Sequence, residues 1–144
     1  MNIRQITIKD QINIKKIYFD SIKSIDDDLY TIEQKFAWAR QAWDNPEFNN
    51  SIKKGKGWII IDNNDSIGFA VRYPKHRLSL LYLKDKSKRK GYGTKLLQHI
   101  EKEAKNEGLN YLETEASLIS YKLLLKEKWK IVSKEKVIIK GVSF

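Results

Sequence analysis

The sequence predicts an α/β fold, a mixed sheet with helices on both faces. Three observations carry that prediction. Strand-like and helix-like apolar spacings alternate along the chain. Three strand-like runs follow one another between residues 58 and 83. The last of these runs, and a later one, each lead into an amphipathic helix, making two βα units. The length of 144 residues suits one domain spanning 1–144. A chain of that size buries roughly 70% of its unfolded surface without a staple, and four Trp, seven Tyr and five Phe suit a packed core.

Residues 1–8 read as the first strand, with Ile6, Thr7 and Ile8 alternating apolar and polar. Asp10 stands where it would cap a helix over 11–24, whose Ile14, Ile17, Tyr18, Ser21, Ile22 and Ile25 have helical spacing. Asp26, Asp27 and Asp28 are too charged for a core. Thr31 and Gln34 have the spacing of a capping box and open a second helix bearing Ile32, Phe36, Trp38, Ala39 and Trp43. Asn45-Pro46 is another helix start, with proline first, and predicts a short helix to about Lys53. Residues 58–61 and 67–71 are strands around a turn-rich link at 63–66, and 74–76 form a second turn. The run 78–83 alternates little, as in a strand covered on both faces. A charged loop at 84–90 precedes a helix that starts at Gly91 or Tyr92, carries Leu96, Leu97, Ile100 and Ala104 on one face, and stops near Gly108. Residues 111–116 are a strand. Ser117 caps a helix to about Glu127, and short strands near 130–132 and 137–142 end the pass. The predicted order is β-α-α-β-β-β-α-β-α-β-β.

Composition narrows the function. The chain has no cysteine, which excludes disulfides, thiolate metal sites and a cysteine nucleophile. His76 and His99 are isolated, so no metal site is expected. The first residues have no apolar signal core, and the longest apolar runs, 58–61 and 80–83, are too short to span a membrane. The reading is a soluble, cytoplasmic protein with no membrane partner. The net charge of +10 favours polyanions, a nucleotide cofactor among them. Of 28 basic residues only five are arginine, at positions 4, 40, 72, 77 and 89, and the lysines are spread along the chain. Readers of nucleic acid favour arginine forks and stripes, so no nucleic-acid partner is expected, although a basic nucleic-acid binder stays as a competing reading.

One segment is rich in chemistry. The buried strand 80–83 leads into Lys88-Arg89-Lys90-Gly91-Tyr92-Gly93-Thr94 and then an amphipathic helix. A helix N-terminus offers about four free N–H groups and a partial positive charge, a ready anion site. Glycines allow a pyrophosphate to approach the backbone, and Lys88, Arg89 and Lys90 add charge. The Walker spacing is absent, and the dinucleotide fingerprint would need a glycine where Leu96 stands.

This loop resembles that of the GNAT superfamily of acetyltransferases, whose signature is Gln/Arg-x-x-Gly-x-Gly/Ala after the fourth strand. Here Lys88-x-x-Gly91-x-Gly93 takes its place, with lysine at the first position. Family domains share the predicted element order at this length, on a single, mostly antiparallel sheet. The segment Thr114-Glu115-Ala116-Ser117 and the helix after it resemble the family's next motif. There Ser117 and Ser120 match its Asn/Ser and Ala positions, Leu123-Leu124 its Phe-Tyr, and Lys128-Trp129 its Gly-Phe. Tyr30-Thr31-x-Glu33-Gln34-x-x-Ala37-Trp38 is similar to one bacterial subgroup of N-acetyltransferases.

The resemblance implies acetyl-CoA as cofactor and direct attack of an amine on its thioester. It implies that Leu81 and Leu83 act through their backbone, and that Lys88, Arg89, Lys90, Gly91, Tyr92, Gly93, Thr94, Ser117, Ser120 and Leu124 face the cofactor. An alkyl ammonium with a pKa near ~10.4 must lose a proton before it attacks. Glu115 is the expected base, with Glu113 deeper on the same face. The family's usual proton donor to the thiolate is a tyrosine, but Leu124 occupies that position, which leaves Tyr82 and Tyr121 as substitutes, or departure unaided. The acceptor site is expected on the two N-terminal helices, with Tyr30 and Trp38 binding substrate; for Trp38 and Phe36, core packing is the competing role. Asp26–Asp28 would attract a cationic amine or simply favour the next helix's N-terminus. The acceptor is a small-molecule or peptide amine, and the protein a monomer or homodimer. A CoA-binding module without catalysis is the alternative.

Overall fold

The computed structural model describes residues 1–87, 90–116, 120–130, 138–139 and 142–143. Four strands form an antiparallel sheet in the order β1 (Asn2–Gln5), β2 (Lys56–Asp62), β3 (Asp65–Arg72), β4 (Leu78–Leu83). β2 and β3 are joined by Asn63 and Asn64, both at positive φ (50° and 61°), so the predicted four-residue link tightens to a two-residue hairpin turn.

The first strand is shorter than its sequence pattern. Past Gln5 the chain coils into a 3-10 turn at Ile8–Asp10. Asp10 is buried there, and its carboxylate accepts the Thr7 N–H (2.7 Å) and both terminal nitrogens of Arg4 (2.8 Å each). Its side chain is thus committed to β1 and makes no cap bond to the helix that follows, α1 (Gln11–Lys23). The α1 stripe is as predicted: Ile14, Ile17, Tyr18, Ser21 and Ile22 are buried.

The predicted second helix is two helices, α2 (Ile32–Ala39) and α3 (Gln41–Asp44). Thr31 and Gln34 do form the capping box. The buried side of α2 carries Lys35, Ala37, Trp38 and Ala39, whereas Ile32, Phe36 and, on α3, Trp43 are 73%, 60% and 51% exposed. Lys35 explains the difference. Its ammonium turns inward to the Ile25 carbonyl (2.8 Å) and to Asp27. Asp26 accepts the Asp28 N–H, so two of the three acidic residues shape the α1–α2 connection. Asn45 caps α4 (Pro46–Lys54) by accepting from the Glu47 N–H, with Pro46 first in the helix.

The sheet divides two cores. On one face α1 to α4 pack Ile14, Ile17, Tyr18, Trp38 and Phe48 against Ile59, Phe69 and Val71. On the other, α5 (Tyr92–Asn106) and α6 (Tyr121–Lys126) pack Leu96, Leu97, Ile100 and Leu124 against Trp58, Ile60, Ala70 and Leu78. This two-sided burial is why β4 alternates so little. Gly108, just past the end of α5, takes the left-handed position that stops the helix, at φ 85°.

Residues 111–116 contribute one parallel bridge, Glu113 to Arg77, rather than the predicted strand. Of the strand expected near 130–132, residues 131 and 132 lie outside the described residues, as does Ser117. The strand expected at 137–142 is interrupted. Ile138–Ile139 (β5) pairs antiparallel with Val142–Ser143 (β6), and β6 lies beside α2. Among the described residues no helix is long and apolar enough to cross a membrane.

Candidate active site

β4 carries a bulge at Ser79: Val71 pairs with Leu80, but Arg72 pairs with Leu78. Two hydrogen bonds bracket it. The Tyr73 N–H donates to the Arg77 carbonyl (2.9 Å), and the Lys84 N–H donates to the Ile67 carbonyl (2.9 Å). Arg77 and Lys84 therefore both turn their backbone toward β3. In an unbroken strand, residues an odd number apart turn opposite ways; the bulge supplies the extra step. It follows that Leu78 before the bulge, and Leu81 and Leu83 after it, all turn their N–H groups away from β3. Leu78 donates to the Glu113 carbonyl (2.9 Å) and accepts from the Thr114 hydroxyl (2.6 Å). That hydroxyl takes the position a continuing parallel ladder would give to the Glu115 amide. Among the described residues the pairing on this edge is confined to the start of β4, upstream of Leu81 and Leu83.

α5 begins beside the other end of β4. Gly91 precedes it at φ 82°, with no atom within 4 Å of where a Cβ would stand. The first bond of the helix runs from the Lys95 N–H to the Gly91 carbonyl (3.1 Å). The N–H groups of Tyr92, Gly93 and Thr94 therefore have no acceptor within the helix and form its positive end. Gly93 is buried, and a Cβ there would lie 3.1 Å from Leu123 and 3.3 Å from Leu83. Its missing side chain lets the first turn sit directly on the last residue of β4 and on α6. Leu81, Leu83, Gly91, Tyr92, Gly93 and Thr94 are thereby brought to one end of the sheet. This arrangement fits a phosphate-bearing ligand, since open backbone at Gly91, a helix N-terminus and outward amides on β4 are donors without side-chain obstruction.

Other expected residues fall elsewhere. Lys90 is exposed, whereas Lys88 and Arg89 lie outside the described residues. Ser120 immediately precedes α6, and Tyr121 opens it. Leu124 is 5% exposed in the second core, where its N–H bonds the Ser120 carbonyl and its carbonyl accepts from Trp129. Glu115 is an exposed residue in an ion pair with Arg77 (3.5 Å). Leu112 packs into the second core, and the first core lies on the other face of the sheet, the α1–α4 side.

That side holds a nest of aromatic rings. Tyr82 packs edge-on to Tyr18 (4.7 Å between centroids) and Trp38 (6.3 Å), and tilted against Phe69; Trp38 in turn meets Tyr30 at 5.3 Å. The Trp38 Nε1–H donates to the Tyr82 hydroxyl (3.3 Å), and the Tyr18 hydroxyl donates to the Trp38 carbonyl (2.8 Å). Burial pushes the Tyr82 phenol up to about 12, against a smaller lowering by the Trp38 bond. Burial likewise lifts Tyr18 well above the ordinary phenol value. Tyr82, Tyr30 and Trp38 thus form one cluster beside β4.

The GNAT acetyltransferase family model matches residues 19–124. The chain belongs to that family. Its reaction class is acetyl transfer, and the cofactor that goes with GNAT membership is acetyl-CoA. A GCN5-related N-acetyltransferase from Rhodopseudomonas palustris shares this fold at a TM-score of 0.92 and 25% identity, over 99% of this chain and 89% of that one. The PaiA N-acetyltransferase of Thermoplasma acidophilum, solved with coenzyme A, follows at 0.74 and 22% identity, over 93% and 92%. The aminoglycoside acetyltransferase AAC(6')-Iy, solved with a CoA-linked acetylneamine bisubstrate analogue, aligns at 0.64 and 13%, over 96% and 97%. No curated protein matches the chain.

Sequence reasoning missed three acids beside the candidate site. The Asp20 carboxylate accepts the Asp85 N–H (2.9 Å), Asp65 accepts from Lys84 Nζ (2.9 Å), and Asp62 accepts from the Tyr92 hydroxyl. That bond, with a lesser contribution from the nearby N-terminal amine, holds Asp62 below the usual carboxylate range; the same bond, ahead of burial and the Asp62 charge, raises Tyr92. The three lie on α1, β2 and β3, so no sequence spacing links them to the loop.

Proposed function

We propose that the protein is an N-acetyltransferase that moves the acetyl group of acetyl-CoA to a primary amine by direct attack within a ternary complex. The observation that carries this reading is the meeting of two sets of backbone donors, the N–H groups opening α5 and the outward amides of Leu81 and Leu83. Bound acetyl-CoA supplies an activated thioester. Tyr92, Gly93 and Thr94 hold its phosphates through their N–H groups, with Lys90 and the sequence neighbours Lys88 and Arg89 adding charge, and Ser117 and Ser120 facing the same ligand. Leu81 and Leu83 bond the extended arm and polarise the carbonyl, a contribution of roughly 3–4 kcal/mol per well-aimed donor. Glu115 takes the proton from the amine, directly or through water. Tyr82, whose phenol stays protonated at neutral pH, or Tyr121 gives a proton to the departing thiolate, which leaves as the free thiol. Tyr30 and Trp38 form the apolar wall on which the acceptor rests.

A second reading is favoured by one observation. Leu124, at the position where the family's tyrosine is expected, is packed into the core and has no proton to give. The protein would then bind CoA with little turnover. One assay decides: release of free CoA thiol from acetyl-CoA with a panel of small cationic amines and peptide N-termini. Amine-dependent release supports transfer. CoA binding with no release from any amine would favour the second reading.

A further inference from the structure

The connection between β4 and α5 is fastened on both sides of residues 88–89. Before it, the Asp85 N–H is held by Asp20 of α1 and the Lys84 ammonium by Asp65 of β3, each at 2.9 Å. After it, the Tyr92 hydroxyl is held by Asp62 at the end of β2, whose other oxygen lies 3.6 Å from the amine of Met1. Tyr92 also rests its ring against the second core. Three carboxylates thus anchor the connection that leads into a site whose ligand carries phosphate charge. Coulombic repulsion makes such neighbours unfavourable, so their use at this end of the sheet calls for a geometric reason.

We propose that Asp62, acting through Tyr92, is a positioning residue that fixes the direction of the first turn of α5, and so the aim of its N–H groups at the bound phosphates. Asp20 steadies the opposite end of the connection in the same way. The Asp62–Tyr92 bond ties that turn to β2, the strand two places away from β4. Without it, the turn would rest on apolar packing alone, the Tyr92 ring on the second core and Gly93 on Leu83 and Leu123, which has no directional bond. This inference rests on the reading that coenzyme A binds there.

Calorimetric titration of coenzyme A into the unaltered protein and into Asp62→Asn, Tyr92→Phe and the double variant tests it, with Tm recorded for each. Each single change is expected to weaken binding roughly 10-fold, the size of one hydrogen bond to a charged group. The double variant should be no weaker than Tyr92→Phe, because both changes act on the same bond, Tyr92→Phe by removing its donor and Asp62→Asn by exchanging its charged acceptor for a neutral amide oxygen. A purely electrostatic role for Asp62 predicts tighter binding in Asp62→Asn, and that result, unchanged affinity, or additive losses would each overturn the proposal. A fall in Tm with unchanged affinity would show a structural bond only and overturn it too. Tyr92→Phe keeps the packed ring and carries the test if Asp62→Asn does not fold. An unaltered protein that fails to bind coenzyme A would overturn the reading of the site itself.

Discussion

Lys128 ends the turn after α6 at φ 69°, a left-handed conformation in which a β-carbon crowds the backbone. It is also the residue matched to the glycine of the family's Gly-Phe pair. Lys128→Gly is therefore expected to stabilise the protein by about 0.5–1 kcal/mol, read as a higher urea midpoint. The neighbouring Trp129 keeps its place, since its N–H bonds Leu124 and its indole N–H bonds Glu101 (2.9 Å). Glu115 is tested by Glu115→Gln, which should lower kcat by about 100-fold or more while the Kd for coenzyme A holds; an unchanged kcat would remove it as the base. Single residues were legible where a local rule governs them. Thr31, Gln34, Asn45, Gly91 and Gly108 sit where capping and turn chemistry puts them. Asp10 was misread because its cap position competes with a bidentate arginine partner on β1, and nothing local in the sequence announces that partner.

At the level of elements, the last turn of α5 is tied to the sheet by Glu107. It accepts from Lys56 (2.6 Å) and from Arg72, whose side chain is 1% exposed. These two partners, Lys56 first, hold the Glu107 carboxyl below its ordinary range. Its stabilising effect is complete above the unfolded carboxylate value of about 4.3 and is lost as pH falls through the lower folded value. Glu107→Gln would leave a buried guanidinium with a neutral partner. It should cost about 2–3 kcal/mol at pH 7, below the range for fully buried pairs because Glu107 is a quarter exposed. The variant should also lose part of the acid-induced drop in stability, as measured by urea unfolding between pH 2.5 and 7. Elements were legible where one periodicity ruled, as in α1, α5 and the β2–β3 hairpin. They were less so where packing reversed the pattern. The apolar residues of α2 read as its core stripe, yet Lys35 occupies the inside because the Ile25 carbonyl and Asp27 await it there. Residues 111–116 have the composition of a strand, but the Thr114 hydroxyl ends their ladder after one bridge.

For the molecule as a whole, the net charge of +10 makes weak anion binding unavoidable, so cofactor binding must be separated from it. In about 150 mM salt, acetyl-CoA at about 100 times its Kd adds about 2.7 kcal/mol and should raise Tm by roughly 5–10 °C, with ATP at the same concentration giving much less. Equal shifts would point to nonspecific attraction at a helix end. The architecture was legible because strand and helix periods alternate in an order few folds share. The glycine loop gave one half of the candidate site. The other half, Leu81 and Leu83, came from the family resemblance alone, because the direction of their amides depends on the β3–β4 register and its shift at Ser79, which composition does not encode. That shift constrains how this protein can change over generations. Substitutions at Ser79 keep the count of residues, and many side chains fit a bulge. Loss of Ser79 would only return the pair to a regular ladder, with Arg72 opposite Leu78 and Val71 opposite Leu80 as now, whereas gain or loss of one residue between Leu80 and Leu83 would swap inward and outward along the rest of the strand. Tyr82 would leave the aromatic nest and the Leu81 and Leu83 amides would turn into the sheet. Length variation among descendants of this chain should therefore gather in its turns or at Ser79, and avoid the span from Leu80 to Lys84.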